Sequence, residues 1–308
     1  MKRIDGFIDL DNLLKLETPA LSTFEKYEEL IERMKSVSNF KVVKSERFYH
    51  YDNPLFVLSF DINNKTYFFK QDLATIPYYE LIAEELANDL NLECVHYDLA
   101  KLGKYKGTIS ENYKKENAKY MSGGELLKAF YEKDKYSNSN NLMDIWHVLE
   151  TRYQSREDMQ KIVEKLMNKL VKLLIFDMIT GQNDRHNENW GIVEYQNGEV
   201  DLQPIFDNSR MLLKDPYNHR LELFSNEDNY YLESSLEYLH EVSDFEVNNF
   251  LLAAIGAISE QNIDKIIKRV EARIECEIPE TIKHDIKGNF REQFDYMLRT
   301  INNSKLRK

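Results

Sequence analysis

The sequence predicts an α+β chain in two lobes, a small β-rich amino-terminal lobe over residues 1–113 and a mainly helical carboxy-terminal lobe over residues 114–308. Three observations predict it. Strand-period runs rich in Val, Phe and Tyr crowd the stretch from Lys41 to Lys70, and helix-period stripes dominate from Glu125 onward. Between Asn183 and Asn189 a polar knot follows directly on a helical segment rich in Leu, Ile, Met and Phe. With 308 residues, 42% of them hydrophobic and 12% aromatic, the chain is long and apolar enough for two cores.

Charge and cysteine usage exclude several classes. A net charge of −12 argues against a general nucleic-acid or anionic-membrane binder, although a local basic groove is compatible with it. Cys94 and Cys276 are the only two cysteines, and their wide separation indicates neither a disulfide framework nor a zinc site. The start, MKRIDGFIDLDNLL, lacks the apolar core and cleavage site of a signal peptide. No run approaches the roughly eighteen apolar residues of a membrane span, so a reducing, cytoplasmic setting is expected.

Ser22 to Met34 reads as an amphipathic helix capped by Ser22 or Thr23, with Phe24, Tyr27, Leu30, Ile31 and Met34 on its packing stripe. From Lys41 the period shortens to that of strands. Three runs separated by Asp52-Asn53-Pro54 and Asn63-Asn64-Lys65 predict an antiparallel meander. A helix follows at Pro77, whose fixed φ suits a first turn, with Ile82, Ala83, Leu86, Ala87 and Leu90 as its buried stripe. Two extended segments, Glu93 to Leu102 and Lys106 to Ser110, turn at Gly103 to Tyr105, and Ser110 to Tyr113 leads out of the lobe. Beyond it, Glu125 to Tyr131, Leu142 to Arg152, Arg156 to Thr180, Phe245 to Ile258, Glu260 to Glu275 and Pro279 to Ile301 read as helices. Glu132 to Asn141 reads as a polar connector. Strand character returns in one hairpin, Gly191 to Tyr195 and Val200 to Ile205 around Gln196-Asn197-Gly198.

The polar knot needs a chemical reason, because burying unpaired amides and carboxylates costs several kcal/mol each. Phosphoryl transfer asks a protein for a carboxylate at the attacking hydroxyl, hard oxygen ligands for magnesium and positive charge on the nucleotide phosphates. Asp184 suits the first role, and Asn189 and Asp207 the second, since the hairpin returns Asp207 to the side of Asn189. Lys70, ending an apolar strand, and Glu80, early in the next helix, suit the third. Each piece has an ordinary reading as well. Asp-x-x-x-x-Asn spacings occur by chance in capping loops, a strand-ending lysine is commonly solvated, and an early helix glutamate is favoured by the dipole alone. Arg185 either holds the loop or meets phosphate, Asn183 braces the loop, His186 is structural, and Trp146 and Trp190 belong to the core.

The whole order, apolar helix, NDRHNEN, hairpin, then Pro204-Ile205-Phe206-Asp207, resembles the catalytic and metal-binding segments of the HipA-like kinases, whose loop runs Gly-Asn-x-Asp-Arg-His-x-x-Asn. Gly181, Asp184, Arg185, His186 and Asn189 match it, and Gln182 stands where the family usually has Asn. The loop is similar to that of phosphoinositide kinases too. Glu80, Ala87, Leu90 and Leu92 fall at the spacing of the family's first-lobe helix, with Asn91 in place of its usual Gly. The resemblance spans roughly Lys44 to Leu212.

It implies a two-lobed protein-kinase-like fold, ATP and magnesium as cofactors, Asp184 as catalytic base, and Asn189 and Asp207 as metal ligands. Lys70 and Glu80 are then nucleotide-binding, as are Ser110 and Asn112 in a hinge from Ser110 to Tyr113. Ser or Thr hydroxyls of protein are the first-choice acceptor, with Tyr and Ser residues of the Asn208 to Ser235 segment as autophosphorylation candidates. A phosphoinositide-type lipid kinase and a nucleotide-binding pseudokinase scaffold are the alternatives. Departures from the pattern are the absence of a G-x-G-x-x-G before Lys70, leaving Tyr49 to Pro54 as a possible phosphate cover, and a length without room for the extra amino-terminal subdomain of full-length HipA-like proteins.

Overall fold

The expected meander forms, and it makes up one edge of a larger sheet. In the computed structural model, residues 3–13, 41–46, 55–72, 76–129, 142–182, 185–209, 211–212 and 247–303 are described. The predicted helix from Ser22 to Met34, the Tyr49 to Pro54 segment, the connector from Glu132 to Asn141 and most of Asn208 to Ser235 lie outside them. The chain divides into two compact units, one of Met1–Glu85, Val95–Tyr113 and Asp264–Asp285, the other of Leu86–Cys94, Lys114–Ile263 and Ile286–Lys308.

In the first unit β3 (Lys41–Glu46), β4 (Leu55–Ile62) and β5 (Lys65–Gln71) pair antiparallel in sequence order. Asn63 and Asn64, at φ 51° and 62°, close the β4–β5 hairpin, a turn that asparagine tolerates and most residues do not. β6 (Tyr97–Leu102) and β7 (Tyr105–Glu111) extend the sheet, with β7 beside β5. A hairpin absent from the sequence reading completes it. β1 (Arg3–Ile4) and β2 (Phe7–Asp9) turn through Asp5 and Gly6, both at positive φ, and β2 lies parallel to β6. The order is β1-β2-β6-β7-β5-β4-β3, a sheet of seven strands. One face buries Ile8, Leu58, Phe60, Phe69, Ala100, Leu102, Tyr105 and Ile109, together with Leu10 of α1 (Leu10–Leu13).

Helix α2 (Ile76–Asp89) buries Ile82, Ala83, Leu86 and Ala87 of the predicted stripe, and Leu90, just past its end, is buried as well. It ends with Asn91 in the left-handed region, φ 54°, the conformation that makes Asn a substitute for Gly at a helix end. Within the same unit Arg269 and Arg273, on a later helix, clasp it. Arg269 Nε donates to Glu85 Oε2 (2.9 Å), and Arg273 Nη1 lies 3.0 Å from Glu84 Oε2 and 3.2 Å from Glu85 Oε1.

The second unit is mainly helical, with α3 (Gly123–Lys128), α4 (Leu142–Tyr153), α5 (Met159–Thr180) and α6 (Val247–Ala257). It also takes in parts of α7 (Glu260–Ile274) and α8 (Glu280–Asn303). The last six residues of α5, Ile175 to Thr180, are all buried, so this end of the helix is enclosed on every side. The hairpin of β9 (Gly191–Tyr195) and β10 (Val200–Leu202) forms as expected, Gly198 taking φ 84°. β8 (Ala118–Ser122) adds a third strand, in the order β10-β9-β8. Five residues of mixed polarity give no clear alternation, so β8 owes its existence to the edge that β9 offers.

At Gly107 β7 passes so close to β5 that a Cβ would overlap the backbone of Lys70 and Gln71. Gly107→Ala must therefore part the two strands, at an expected cost of about 1–3 kcal/mol, the range for overpacking, readable as a lower urea midpoint.

Candidate functional site

Two clusters carry the predicted residues, one in each unit. In the first, register fixes the faces. Lys70 on β5 lies directly opposite Thr108 on β7, and Phe68 opposite Ser110, so Lys70, Thr108 and Ser110 share one face while Phe69 and Ile109 fill the core on the other. Lys70 Nζ stands 3.7 Å from Glu80 Oε1 of α2. The lysine is partly exposed and the glutamate is buried, with its side chain 1% exposed. A carboxylate so enclosed needs a cation nearby, and Lys70 supplies the charge. Asn112, just beyond β7, donates its backbone N–H to the Thr66 carbonyl (2.8 Å), which continues the β5 pairing past Ser110. Thr108, buried beside Lys70, is a member of this face that sequence reasoning does not single out.

The second cluster starts at the end of α5. The helix stops at Gly181, whose φ of 61° lets its N–H reach back to Asp177 and Met178 carbonyls. Asp177, on this last turn, is buried, a position where the helix dipole disfavours a negative charge. Burial pushes its carboxyl up from the ordinary range, against the pull of the Arg185 guanidinium beside it. Arg185 answers with its whole donor set. Nε donates to Asp177 Oδ2 (3.0 Å) and Nη2 to Asp177 Oδ1 (2.9 Å) and Asn208 Oδ1 (2.9 Å). Nη1 donates to the carbonyls of Asn189 (3.0 Å) and Phe206 (2.6 Å). Of the two roles open to it from sequence, Arg185 therefore takes the structural one. Asn183 and Asp184 lie outside the described residues.

Those bonds join the loop to the far end of the hairpin. Asn189, buried, and Phe206, the neighbour of Asp207, hang on the same Nη1. Asp207 is at φ 54°, a left-handed backbone that Asp tolerates better than most residues. Its carbonyl accepts from Gln182 Nε2 (2.9 Å), and its Oδ1 from the Ser209 hydroxyl (3.0 Å). Gln182 thus braces the turn at Asp207 across the loop. His186 is exposed, and its Nδ1 accepts from the Glu188 N–H (3.2 Å). Trp190 and Trp146 are buried, as expected of core residues.

Among the described residues no group of three or more His, Cys, Asp or Glu gathers as metal ligands do. Sequence reasoning misses Asp177. The signal for Asp177 is present all the same: it is the one acid in the apolar run Leu170 to Thr180, shortly before an arginine.

Residues 54–278 match the family described as the HipA-like C-terminal domain. Comparison with curated protein sequences gives no match. Among solved structures the chain is similar to the Helicobacter pylori proinflammatory kinase CtkA, at 19% identity and a TM-score of 0.56, covering 80% of this chain and 94% of that one. It is also similar to HipA of Shewanella oneidensis MR-1, solved with HipB and its operator DNA, at 14% identity and a TM-score of 0.50, covering 91% of this chain and 73% of that one. At such identities the likeness is one of fold, and the fold is protein-kinase-like.

Removing Arg185 would strand a buried carboxylate and two carbonyls at once. Arg185→Ala should cost about 3–5 kcal/mol in urea unfolding. Arg185→Lys, which keeps the charge but not the planar fork, should fall between it and the wild type.

Proposed function

Because this chain belongs to the family of HipA-like C-terminal domains, we propose that it is an ATP-dependent phosphotransferase acting on Ser or Thr hydroxyls of protein. The observation that carries the reading is the Arg185 clamp. It ties the backbone at Asn189 to the backbone before Asp207, residues that have no local reason to meet. Two oxygen-bearing side chains held in this way fit magnesium, whose hard-ligand preference they satisfy. Bound magnesium ATP would supply the phosphoryl group and a cation to neutralise charge on it.

In this reading each residue has one task. Lys70, beside buried Glu80, meets phosphate oxygens, and Ser110 and Asn112 at the end of β7 receive the nucleotide. Asp184 accepts the proton of the acceptor hydroxyl as it is positioned for attack. Asn189 offers an amide oxygen, and Asp207 a full negative charge. Cys94 and Cys276 are unbridged and half-buried, which suits a reducing, cytoplasmic setting. No helix among the described residues is long and apolar enough to cross a membrane.

The reading is tested with labelled ATP against protein and lipid acceptors in parallel. Label on protein supports it, and label on lipid alone moves the acceptor class. Asp184→Asn should lower turnover by about 10²–10⁴-fold, the usual contribution of a general base, while calorimetric nucleotide affinity stays close to that of the wild type. Equal loss of both would remove Asp184 from that role.

Asp207→Ala should damage magnesium-dependent binding more than Asn189→Ala, because it deletes a charge and not a dipole. Added magnesium should recover Asn189→Ala in part and Asp207→Ala hardly at all. The reverse ranking in a magnesium titration would reassign the ligands.

A further inference from the structure

Asn189 is held from a direction that the sequence does not advertise. Its N–H donates to the His186 carbonyl (2.9 Å), and its carbonyl accepts from Arg185 Nη1 (3.0 Å). Its surroundings in the loop are tied to the start of α3. The Gly123 N–H donates to the Trp190 carbonyl (2.8 Å) and the Gly124 N–H to the Asn187 carbonyl (2.9 Å).

The start of α3 is itself fixed. Ser122 Oγ accepts from the Glu125 N–H (3.1 Å), and Glu125 Oε2 accepts from the Ser122 N–H (2.9 Å), a reciprocal cap. Ser122 also pairs with Gly191 at the end of β8. Trp190 is buried, and its Nε1–H donates to Asn187 Oδ1 (3.2 Å), so the indole and the loop backbone form one packed piece.

The two glycines are not equivalent. A Cβ on Gly123 would fall inside the Trp190 indole, and relieving that overlap means shifting the loop on which Asn189 sits. A Cβ on Gly124 would first meet the carboxylate end of Glu188, an exposed side chain 3.9 Å from Lys128 Nζ that can swing aside.

We infer that Gly123 is a positioning residue for Asn189. Its bare α-carbon lets Trp190 lie against the start of α3, and that contact sets the loop from which the Asn189 amide is presented to magnesium. The identity of the ion rests on the phosphotransfer reading; the contact rests on the packing and hydrogen bonds alone.

The test uses the full chain and two readouts: the magnesium concentration at half-saturation of ATP binding, and amide hydrogen exchange over residues 186–190 without ligand. Gly123→Ala should raise the magnesium midpoint about tenfold, in the range for groups that orient a metal ligand, and should speed exchange in the loop. Gly124→Ala, whose added methyl displaces the flexible end of a side chain, should keep both within about twofold of the wild type. Exchange elsewhere in the chain should stay close to that of the wild type, whereas a general loss of stability would speed it throughout. If Gly123→Ala does not fold, Ser122→Ala loosens the same turn without placing an atom against Trp190, and should move both readouts the same way by a smaller factor. An unchanged midpoint and unchanged exchange in whichever of these folds, or equal effects at Gly123 and Gly124, overturns the inference. A wild-type chain with no magnesium-dependent ATP binding would sink the phosphotransfer reading and the role toward magnesium together, while exchange would still judge whether Gly123 holds the loop.

Discussion

The buried pair of Arg185 and Asp177 is the constraint on which the candidate site in the second unit depends. A guanidinium has five N–H donors in a rigid plane, and all five directions are used here, on one carboxylate, two backbone carbonyls and one side-chain amide. Ion pairs removed from water are poor sources of net stability, because desolvation takes back most of the attraction. Their use is specificity. An apolar residue of the same volume could fill this space, but it could not require that Asn189, Phe206 and Asn208 lie at fixed angles about one point.

The sequence makes part of this legible for a physical reason. Period-two runs bounded by Asn-containing turns are strong local signals, which is why β3 to β5 and the β9–β10 hairpin can be placed from residues alone. Asn91 at a helix end and the Lys70–Glu80 pair are legible too, since both follow from short offsets along consecutive elements. What is not legible depends on distant partners. β8 is a strand because β9 is there, and β1–β2 because β6 is there, although the Asp5-Gly6 pair marks their turn. Asp177 reads locally as a flaw in an apolar stripe, and only its approach to Arg185 across the helix end gives it a purpose.

Backbone shape and side-chain chemistry coincide at Asp207. A left-handed residue at the foot of a hairpin is most simply a glycine or an asparagine, yet the chain keeps a carboxylate there. Gln182 secures the carbonyl of that residue, and Ser209 one oxygen of its side chain, so the unusual φ is supported from both sides. Gln182, one methylene longer than Asn, reaches the strand-end backbone across the turn.

Each unit is assembled from separated stretches of polypeptide, and this has a consequence for birth on the ribosome. The arginines that grip Glu84 and Glu85 come from α7, far along the chain. The first unit is not complete until residue 285 has been added, long after its strands emerge. The carboxylates of α2 wait for those arginines through most of synthesis, the interval in which nascent chains depend on chaperones to stay out of aggregates.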